Sequence, residues 1–307
     1  MHIPDGFISP PVAAATGVAS VAALGIALTR SRDAFGIKHA PILGLTTAFI
    51  FAAQMINFPV AGGTSGHLLG GTLAAIILGN PWAGTICIAT VLIIQAVLFA
   101  DGGITALGAN IFNMAVVGVW VGWSLTQTLQ RLFGGYRSRL PLAAGIAAAV
   151  SVVVAAIACA IELAISGTAP LGLVLPAMAG VHILIGIGEG LITGGVLAYL
   201  ATVRPDLLPG EQRQLQGWVV PVVIILLISG LLSLVASAWP DGLERVAENL
   251  GFINLAEQVR IAVPTPFADY SIEGLGPIGT SIAGIIGSIV CFAVAFGIAQ
   301  VVKPKNA

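Results

Sequence analysis

The chain has 307 residues, of which 57% are hydrophobic and only 8% are charged, with a formal net charge of −1 at pH 7. This composition, with a mean hydropathy of +1.03, excludes a soluble globular domain, and 12 basic against 13 acidic residues argue against nucleic acid as a partner. The apolar runs are long and unbroken, so we expect an all-α polytopic membrane protein and not a barrel.

Nine apolar segments follow one another, and each is predicted to be a transmembrane helix because a helical span needs about 20 apolar residues. Their approximate ranges are 11–29, 41–58, 68–80, 83–100, 111–132, 140–165, 173–203, 218–238 and 277–302. The third is short and lies between a glycine-rich stretch and Pro81. Irregular backbone at membrane depth must be buried in protein or line a cavity, so we expect this segment to be tilted, broken or partly re-entrant.

The basic residues set the predicted orientation. Ten of the twelve fall in connections that share one side of the membrane, namely Arg30, Arg32, Lys38, Arg131, Arg137, Arg139, Arg204, Arg213, Lys303 and Lys305. An excess of basic residues marks the cytoplasmic side, so we expect an extracytoplasmic N-terminus and a cytoplasmic C-terminus in the inner membrane of a bacterium. The first ten residues lack a basic stretch, so we expect no cleaved signal sequence.

The opposite, outer side is predicted to receive the loop 59–67, the loop that contains Asp101 and the long loop 239–276. The long loop carries six acidic residues against Arg245 and Arg260, a net charge of −4. Such a loop attracts cations, although an ordinary solvated loop explains the same composition.

Met1 and His2 form a candidate metal chelate. The α-amine, the amide nitrogen of His2 and its imidazole can close two fused rings around one ion, and such donors suit Ni(II), Cu(II), Co and Zn. His67 lies in a glycine-rich outer loop, and its ring nitrogen is available for the fourth position in the plane. The alternatives are a frayed terminus with an incidental histidine and a solvent-facing loop histidine.

Three ionisable residues lie at membrane depth, Glu162, His182 and Glu189. A charge at the bilayer centre costs about 2.5–3.5 kcal/mol on insertion scales, so we expect these groups to face protein or a water-filled cavity. Structural anchoring between helices and a role in an ion path both remain open. The chain contains no C-x-x-C, H-E-x-x-H or G-x-x-x-x-G-K-[ST] pattern, which argues against a thiol metal site, a zincin and an ATPase.

Three motifs, MHIPDGFISP at 1–10, GGTSGHLLGG at 62–71 and HILIGIGEGLITG at 182–194, resemble the CbiM/NikM family. These proteins are the substrate-capture membrane components of energy-coupling-factor transporters for cobalt or nickel. The resemblance implies a seven-helix M-type domain over residues 1–215, whose N-terminus is embedded in the protein. Residues 216–307, with the sequence WPDGLE in their outer loop, resemble a fused two-helix N-type partner, and the segment 204–217 is predicted to be the linker.

The resemblance also implies a function and a site. Met1, His2 and His67 would bind Ni²⁺ or Co²⁺ as the transported substrate, with no permanent cofactor, and the chain would not be an enzyme. Asp5, Thr64 and Ser65 would orient the imidazole rings. The partners would be membrane lipid, a T-type transmembrane coupling protein and two ATP-hydrolysing subunits. The fusion and the PDGLE element resemble nickel systems more than cobalt systems, which would serve cobalamin biosynthesis.

Two other functions remain as alternatives. A proton-coupled secondary metal transporter would use Glu162, His182 and Glu189 as a relay and would need no ATPase. A membrane metal sensor would bind metal without net transport. In that alternative the acidic loop would bind a partner. In the fused transporter that the resemblance implies, we expect the loop 239–276 to act in loading or gating and not to supply ligands, because it contains neither histidine nor cysteine.

Overall fold

A computed structural model describes residues 1–32, 39–209, 217–258 and 265–302. Within these ranges the chain forms helices and one two-stranded antiparallel sheet of β1 (Phe58–Val60) and β2 (Thr64–Gly66). The α-helices are α1 (Pro10–Arg30), α2 (His39–Gln54), α3 (Gly71–Leu78), α4 (Pro81–Ile94), α5 (Leu107–Asn110), α6 (Val119–Leu132), α7 (Leu140–Ile165), α8 (Leu171–Val203), α9 (Val219–Gly230), α10 (Gly242–Leu250), α11 (Leu255–Gln258) and α12 (Gly276–Val302).

Six helical stretches of the described chain are long and apolar enough to cross a membrane. They are Pro10–Arg30, Pro81–Phe99, Leu107–Leu132, Arg137–Ile165, Leu171–Val203 and Gly276–Val302. Two of these stretches are continuous because π-helical turns, Gln95–Phe99 and Ile111–Gly118, extend α4 and join α5 to α6. The prediction of an all-α polytopic membrane protein is confirmed.

Three of the nine predicted segments are shorter than expected. The segment 41–58 ends as helix α2 at Gln54, because Pro59 cannot continue a helix and Phe58–Val60 pairs with β2 instead. The segment 218–238 contains only the 12 residues of α9 and a short 3₁₀ turn. The segment 68–80 contains only the eight residues of α3, all buried, between the left-handed glycines Gly70 and Gly79. The non-helical backbone before α3, residues 64–70, is buried in protein, as the membrane requires, whereas Gly79 after α3 is exposed.

Small residues bring α7 and α8 close together. A Cβ atom added at Gly190 would lie 2.7 Å from the carbonyl oxygen of Gly145, and one at Gly186 would lie 2.7 Å from that of Ala149. Such close approach is the usual way in which membrane helices gain packing contacts. It turns one face of α8 inward, and this face carries His182 and Glu189.

The C-terminal helices pack directly on the N-terminal part. α12 lies along α2, where a Cβ at Gly44 would meet the ring of Phe292 at 2.8 Å, and it also contacts α9. Between α9 and α12, the short helix α10 rests on α8 and β2. The segment that follows α9 therefore reaches the end of the bundle at which Met1 lies. The predicted linker and domain boundary fall partly on residues 210–216, outside the described residues.

Candidate metal site

The first residues of the chain are buried within the bundle. Met1, His2 and Ile3 are 6%, 9% and 0% exposed. The backbone of Ile3 donates to Asn110 Oδ1 at 2.7 Å, and its carbonyl accepts from Asn110 Nδ2 at 3.0 Å and from the amide of Gly103 at 2.9 Å. A frayed terminus is therefore wrong for this chain, and the amine and imidazole at its start are held in fixed positions.

The loop after α4 holds this segment from one side. Asp5 Oδ1 accepts from the backbone and hydroxyl of Thr105, at 2.8 and 2.5 Å. Gly103 lies so close to Asp5 that an added Cβ would contact its carboxylate oxygen at 2.5 Å. These bonds of Asp5 fix the path of the N-terminal segment and do not involve either imidazole, which differs from the predicted role of Asp5 in orienting the rings.

His67 brings its ring to the amine of Met1. Its Nδ1 lies 3.0 Å from the carbonyl oxygen of Leu68, and because a carbonyl only accepts, Nδ1 carries the proton. Nε2 therefore has a free lone pair, which accepts from the Met1 amine at 2.8 Å. The rings of His2 and His67 are stacked, with centroids 4.9 Å apart and planes 9° from parallel. The three residues predicted as metal ligands thus lie together.

Glu189 fixes the backbone next to His67. Its two carboxylate oxygens accept from the amides of Leu69 and Gly70, at 2.6 and 2.8 Å. The carboxylate is completely buried on α8. Of the two roles left open for Glu189, anchoring is the one these bonds carry out, because they tie the loop that bears His67 to a long helix.

The other two buried ionisable residues also have structural partners. Glu162 accepts from Asn113 Nδ2 at 2.6 Å. His182 Nδ1 donates to the carbonyl of Met178 at 2.8 Å, one turn earlier in α8. His182 also lines a small cavity that borders Met1 and His67, so its second nitrogen lies near the candidate site.

Asp241, from the C-terminal part, contacts the amine of Met1. Its Oδ2 lies 2.5 Å from that nitrogen and 4.0 Å from His67 Nε2. The other oxygen, Oδ1, caps α10 by accepting from the amides of Leu243 and Glu244, both at 2.8 Å, and the Glu244 side chain accepts from the Asp241 amide in return. This capping box sets the direction of the carboxylate.

Ser65 forms hydrogen bonds with the C-terminal loop beside the site. Its backbone donates to the carbonyl of Pro240 at 2.9 Å and its hydroxyl donates to that of Trp239 at 2.7 Å. Thr64, also predicted to orient a ring, lies beside it in β2. Ser65 therefore acts on Asp241 and α10 through these carbonyls, whereas the prediction had it act on an imidazole.

A second carboxylate, Asp101, engages His2. Its Oδ1 lies 2.9 Å from His2 Nδ1, and its Oδ2 accepts from the hydroxyl of Tyr270 at 2.5 Å. Burial alone would raise the pKa of Asp101, but the neighbouring imidazole of His2 and the hydrogen bonds from His2 and Tyr270 outweigh it, so the pKa lies well below its usual range. Burial and the negative charge of Asp101 raise the pKa of Tyr270 well above its ordinary value.

The electrostatics keep His67 neutral and Asp241 charged. Burial, the neighbouring amine and His2 lower the pKa of His67 to about 3. Burial would raise the pKa of Asp241, but the positive amine of Met1 and the hydrogen bonds from that amine and from the backbone of Glu244 hold it well below its usual range. At neutral pH the site therefore contains an imidazole with an available lone pair beside an amine that is paired with a carboxylate.

The donors at this site are mainly nitrogen atoms of the chain terminus and of imidazoles. Within the described residues, no group of three or more His, Cys, Asp or Glu side chains is arranged to hold a metal ion. A metal held here would therefore need the main-chain nitrogens of Met1 and His2. The amine of Met1 contacts Asp241 and the imidazole of His2 contacts Asp101. Metal binding therefore requires both nitrogen groups to give up these carboxylates.

Two family descriptions match this chain. Residues 2–207 match "Cobalt uptake substrate-specific transmembrane region". Residues 215–304 match "PDGLE domain".

Curated relatives of similar length carry transport names. A putative fused nickel transport protein NikMN of Archaeoglobus fulgidus is 40% identical over 98% of both chains. A fused nickel transport protein NikMN of Rhodobacter capsulatus is 35% identical over 78% of this chain and 75% of that one. A cobalt transport protein CbiM of Geobacter sulfurreducens is 29% identical over 81% and 77%. The family and these relatives are transport proteins and not enzymes, as predicted.

Solved structures of similar fold cover the N-terminal part. The crystal structure of a transition metal transporter superposes with a TM-score of 0.60 at 38% identity, over 66% of this chain and 93% of that one. A truncated transition metal transporter gives a TM-score of 0.59 at 38% identity, over 66% and 98%. With two family matches in tandem and a full-length relative at 40% identity, this chain belongs to the CbiM/NikM family of metal-transport membrane proteins, fused to an N-type PDGLE component.

Proposed function

We propose that this chain is the substrate-binding membrane component for uptake of a divalent transition metal ion, Ni²⁺ or Co²⁺. The ligands are the amine of Met1, the amide nitrogen and imidazole of His2, and the imidazole of His67. One observation carries the proposal: the terminal amine is buried 2.8 Å from a ring nitrogen whose lone pair faces it.

The chemistry of these donors supports Ni²⁺ in particular. Amine, amide and imidazole nitrogens of residues 1 and 2 form two fused chelate rings, and a fourth nitrogen completes a plane that Ni(II) prefers. The amine must lose its proton before it binds metal, so binding releases protons. Asp241 and Asp101 then lie beside a metal ion whose charge they offset. The nickel names of the two fused relatives agree with this choice of metal.

The transport step requires partners. We propose that the chain couples to a T-type transmembrane protein and two ATP-hydrolysing subunits as an energy-coupling-factor transporter in the cell membrane. In this arrangement the metal site faces outward and the C-terminus of the chain faces the cytoplasm. Residues 1–215 form the metal-capturing M-type domain and residues 216–307 the N-type domain. Reconstitution with and without the two ATPase subunits tests this coupling, because uptake without them would indicate a secondary transporter.

The ligand assignment is tested by calorimetry on the purified full chain. His67→Ala should weaken Ni²⁺ binding by at least the 10- to 100-fold that loss of a supporting group causes. His39→Ala, a histidine at the start of α2, is the matched control and should bind normally. Intact mass confirms that Met1 is retained and unmodified in each preparation. Unchanged Ni²⁺ affinity in His67→Ala would overturn the assignment.

A further inference from the structure

A second cavity borders the proposed metal site. It measures about 290 Å³ and lies between the N-terminal residues, the loop after α4 and the C-terminal loop. We call it the acidic vestibule, because its lining includes the carboxylates of Asp101, Asp241, Glu244 and Asp269. Among the described residues that line it there is no lysine or arginine, whereas His2 and His67 both border it.

The carboxylates of the vestibule are not fully compensated by positive charge. Asp241 is paired with the Met1 amine and Asp101 contacts His2. Glu244 serves the capping box of α10, and burial together with the nearby charge of Asp241 raises its pKa. The pKa of a carboxyl group rises when other negative charges lie close to it. A cation in the vestibule would relieve the crowding.

Two buried polar atoms on the wall of the vestibule have no hydrogen-bond partner. Gln54 is 3% exposed, and its Nε2 donates to the carbonyl of Leu69 at 2.9 Å, which fixes the orientation of the amide. Its Oε1 is buried and unpartnered, as is Nε2 of His2. Buried polar atoms are normally satisfied by protein or ordered water, so both atoms indicate that the vestibule holds a polar occupant.

The size and donor arrangement of the vestibule fit a hydrated ion. No three of its side chains converge as direct ligands within the described chain. Six water molecules, at about 30 Å³ each, occupy about 180 Å³, which the cavity accommodates. A divalent ion that keeps its water shell can be held through those waters by carboxylate and amide oxygens.

We propose that the acidic vestibule is an outer cation site, in which a hydrated divalent metal ion is held by Glu244, Asp269 and Gln54 before it reaches the nitrogen donors. The inference rests on the proposed function and extends it with a second, oxygen-lined site. Three of the four carboxylates belong to the C-terminal part. That part therefore concentrates the ion at the metal site, which gives the predicted loading role of the loop 239–276 a physical basis.

The first test measures association rates of Ni²⁺ with the full chain by stopped flow. The variant Glu244→Gln with Asp269→Asn removes two vestibule charges that do not contact Met1, His2 or His67, and glutamine retains an oxygen for the capping box. Electrostatic focusing raises on-rates by 10- to 10³-fold or so, so at low salt we expect the rate to fall by about tenfold and to lose much of its salt dependence.

The matched control is Glu257→Gln with Glu273→Gln. It removes the same charge from two positions of the same loop that are as exposed as Glu244 and Asp269 but do not line the vestibule. We expect its association rate to fall by less than about twofold, because these two charges lie outside the cavity and contribute little to the field inside it. Equal rates in both variants, or no change in the vestibule variant, would overturn the outer site.

The second test separates the vestibule from the nitrogen site. Mn²⁺ prefers carboxylate, carbonyl and water ligands, and its free-ion electron paramagnetic resonance signal disappears when it binds. In the His67→Ala background we expect weak Mn²⁺ binding to persist, to be lost on adding Glu244→Gln and Asp269→Asn, and to survive the control substitutions. If Mn²⁺ binding is unchanged by the vestibule substitutions, the outer cation site is refuted and the nitrogen site is not affected. Tight Ni²⁺ binding by His67→Ala would overturn the nitrogen site instead.

Discussion

Glu189→Gln is expected to weaken metal binding through the backbone that carries His67. The carboxylate accepts two backbone N–H bonds of 2.6 and 2.8 Å, whereas the glutamine amide offers one acceptor oxygen and turns an NH₂ group toward the other donor. A hydrogen bond to a charged group contributes about 1.5–3 kcal/mol. At 1.4 kcal/mol per tenfold change in Kd, losing one such bond raises the Kd for the metal by about 10- to 100-fold when the whole lost free energy destabilises the loop that bears His67.

Calorimetry with Ni²⁺ on purified Glu189→Gln measures this loss. Glu162→Gln is the matched control, because Glu162 is also buried but bonds Asn113 and not the ligand loop. We expect the control to retain wild-type affinity and both variants to elute as single species with unchanged helical content. Normal Ni²⁺ affinity in Glu189→Gln, or an equal loss in Glu162→Gln, would refute the anchoring role.

Three further predictions concern the loop, the imidazole and the contact of α10. Truncation after residue 209 should spare equilibrium Ni²⁺ binding but slow loading, and a truncated chain that bound no metal would show that the C-terminal part supplies ligands. His67 should remain neutral from pH 8 to pH 5 by ¹⁵N NMR of its ring, since its pKa of about 3 lies below this range; a midpoint near 6.5 would contradict its buried state. Because unfolded chains protonate histidine below about pH 6.5, stability should also fall as pH decreases through this window. Gly242→Ala should destabilise the protein by about 1–3 kcal/mol, because its Cβ would lie 2.8 Å from His182 Cε1. Gly172→Ala, where the added Cβ meets nothing within 4 Å, is the control in thermal unfolding.

The sequence predicts the helices well where hydropathy decides them. The six long spans follow from uninterrupted apolar runs. Helices α2 and α3 are shorter than the apolar runs predict. β pairing of Phe58–Val60 prevents α2 from continuing, and the left-handed glycines Gly70 and Gly79 bound α3. Hydropathy does not distinguish a short helix that is buried by other helices from one that crosses the lipid.

The candidate site is only partly contained in local sequence. Met1 and His2 are adjacent and His67 has a recognisable loop, so their assembly follows from the motifs. Asp241 was missed because it reaches Met1 across 240 positions, through tertiary packing that no periodicity encodes. The sequence nevertheless contains a capping-box pattern, Asp241 followed three residues later by Glu244. This pattern predicts that a helix begins after Asp241 and that its carboxylate lies at the N-terminus of that helix.

The central claim is that the metal is bound by the terminal amine together with main-chain and imidazole nitrogens. X-ray absorption at the nickel edge, on the full chain loaded with one Ni²⁺, measures the number and type of ligand atoms directly. The account predicts four nitrogen donors in a planar arrangement, and loss of that spectrum when the Met1 amine is acetylated while every side chain is kept. An unchanged nickel spectrum after acetylation would contradict it.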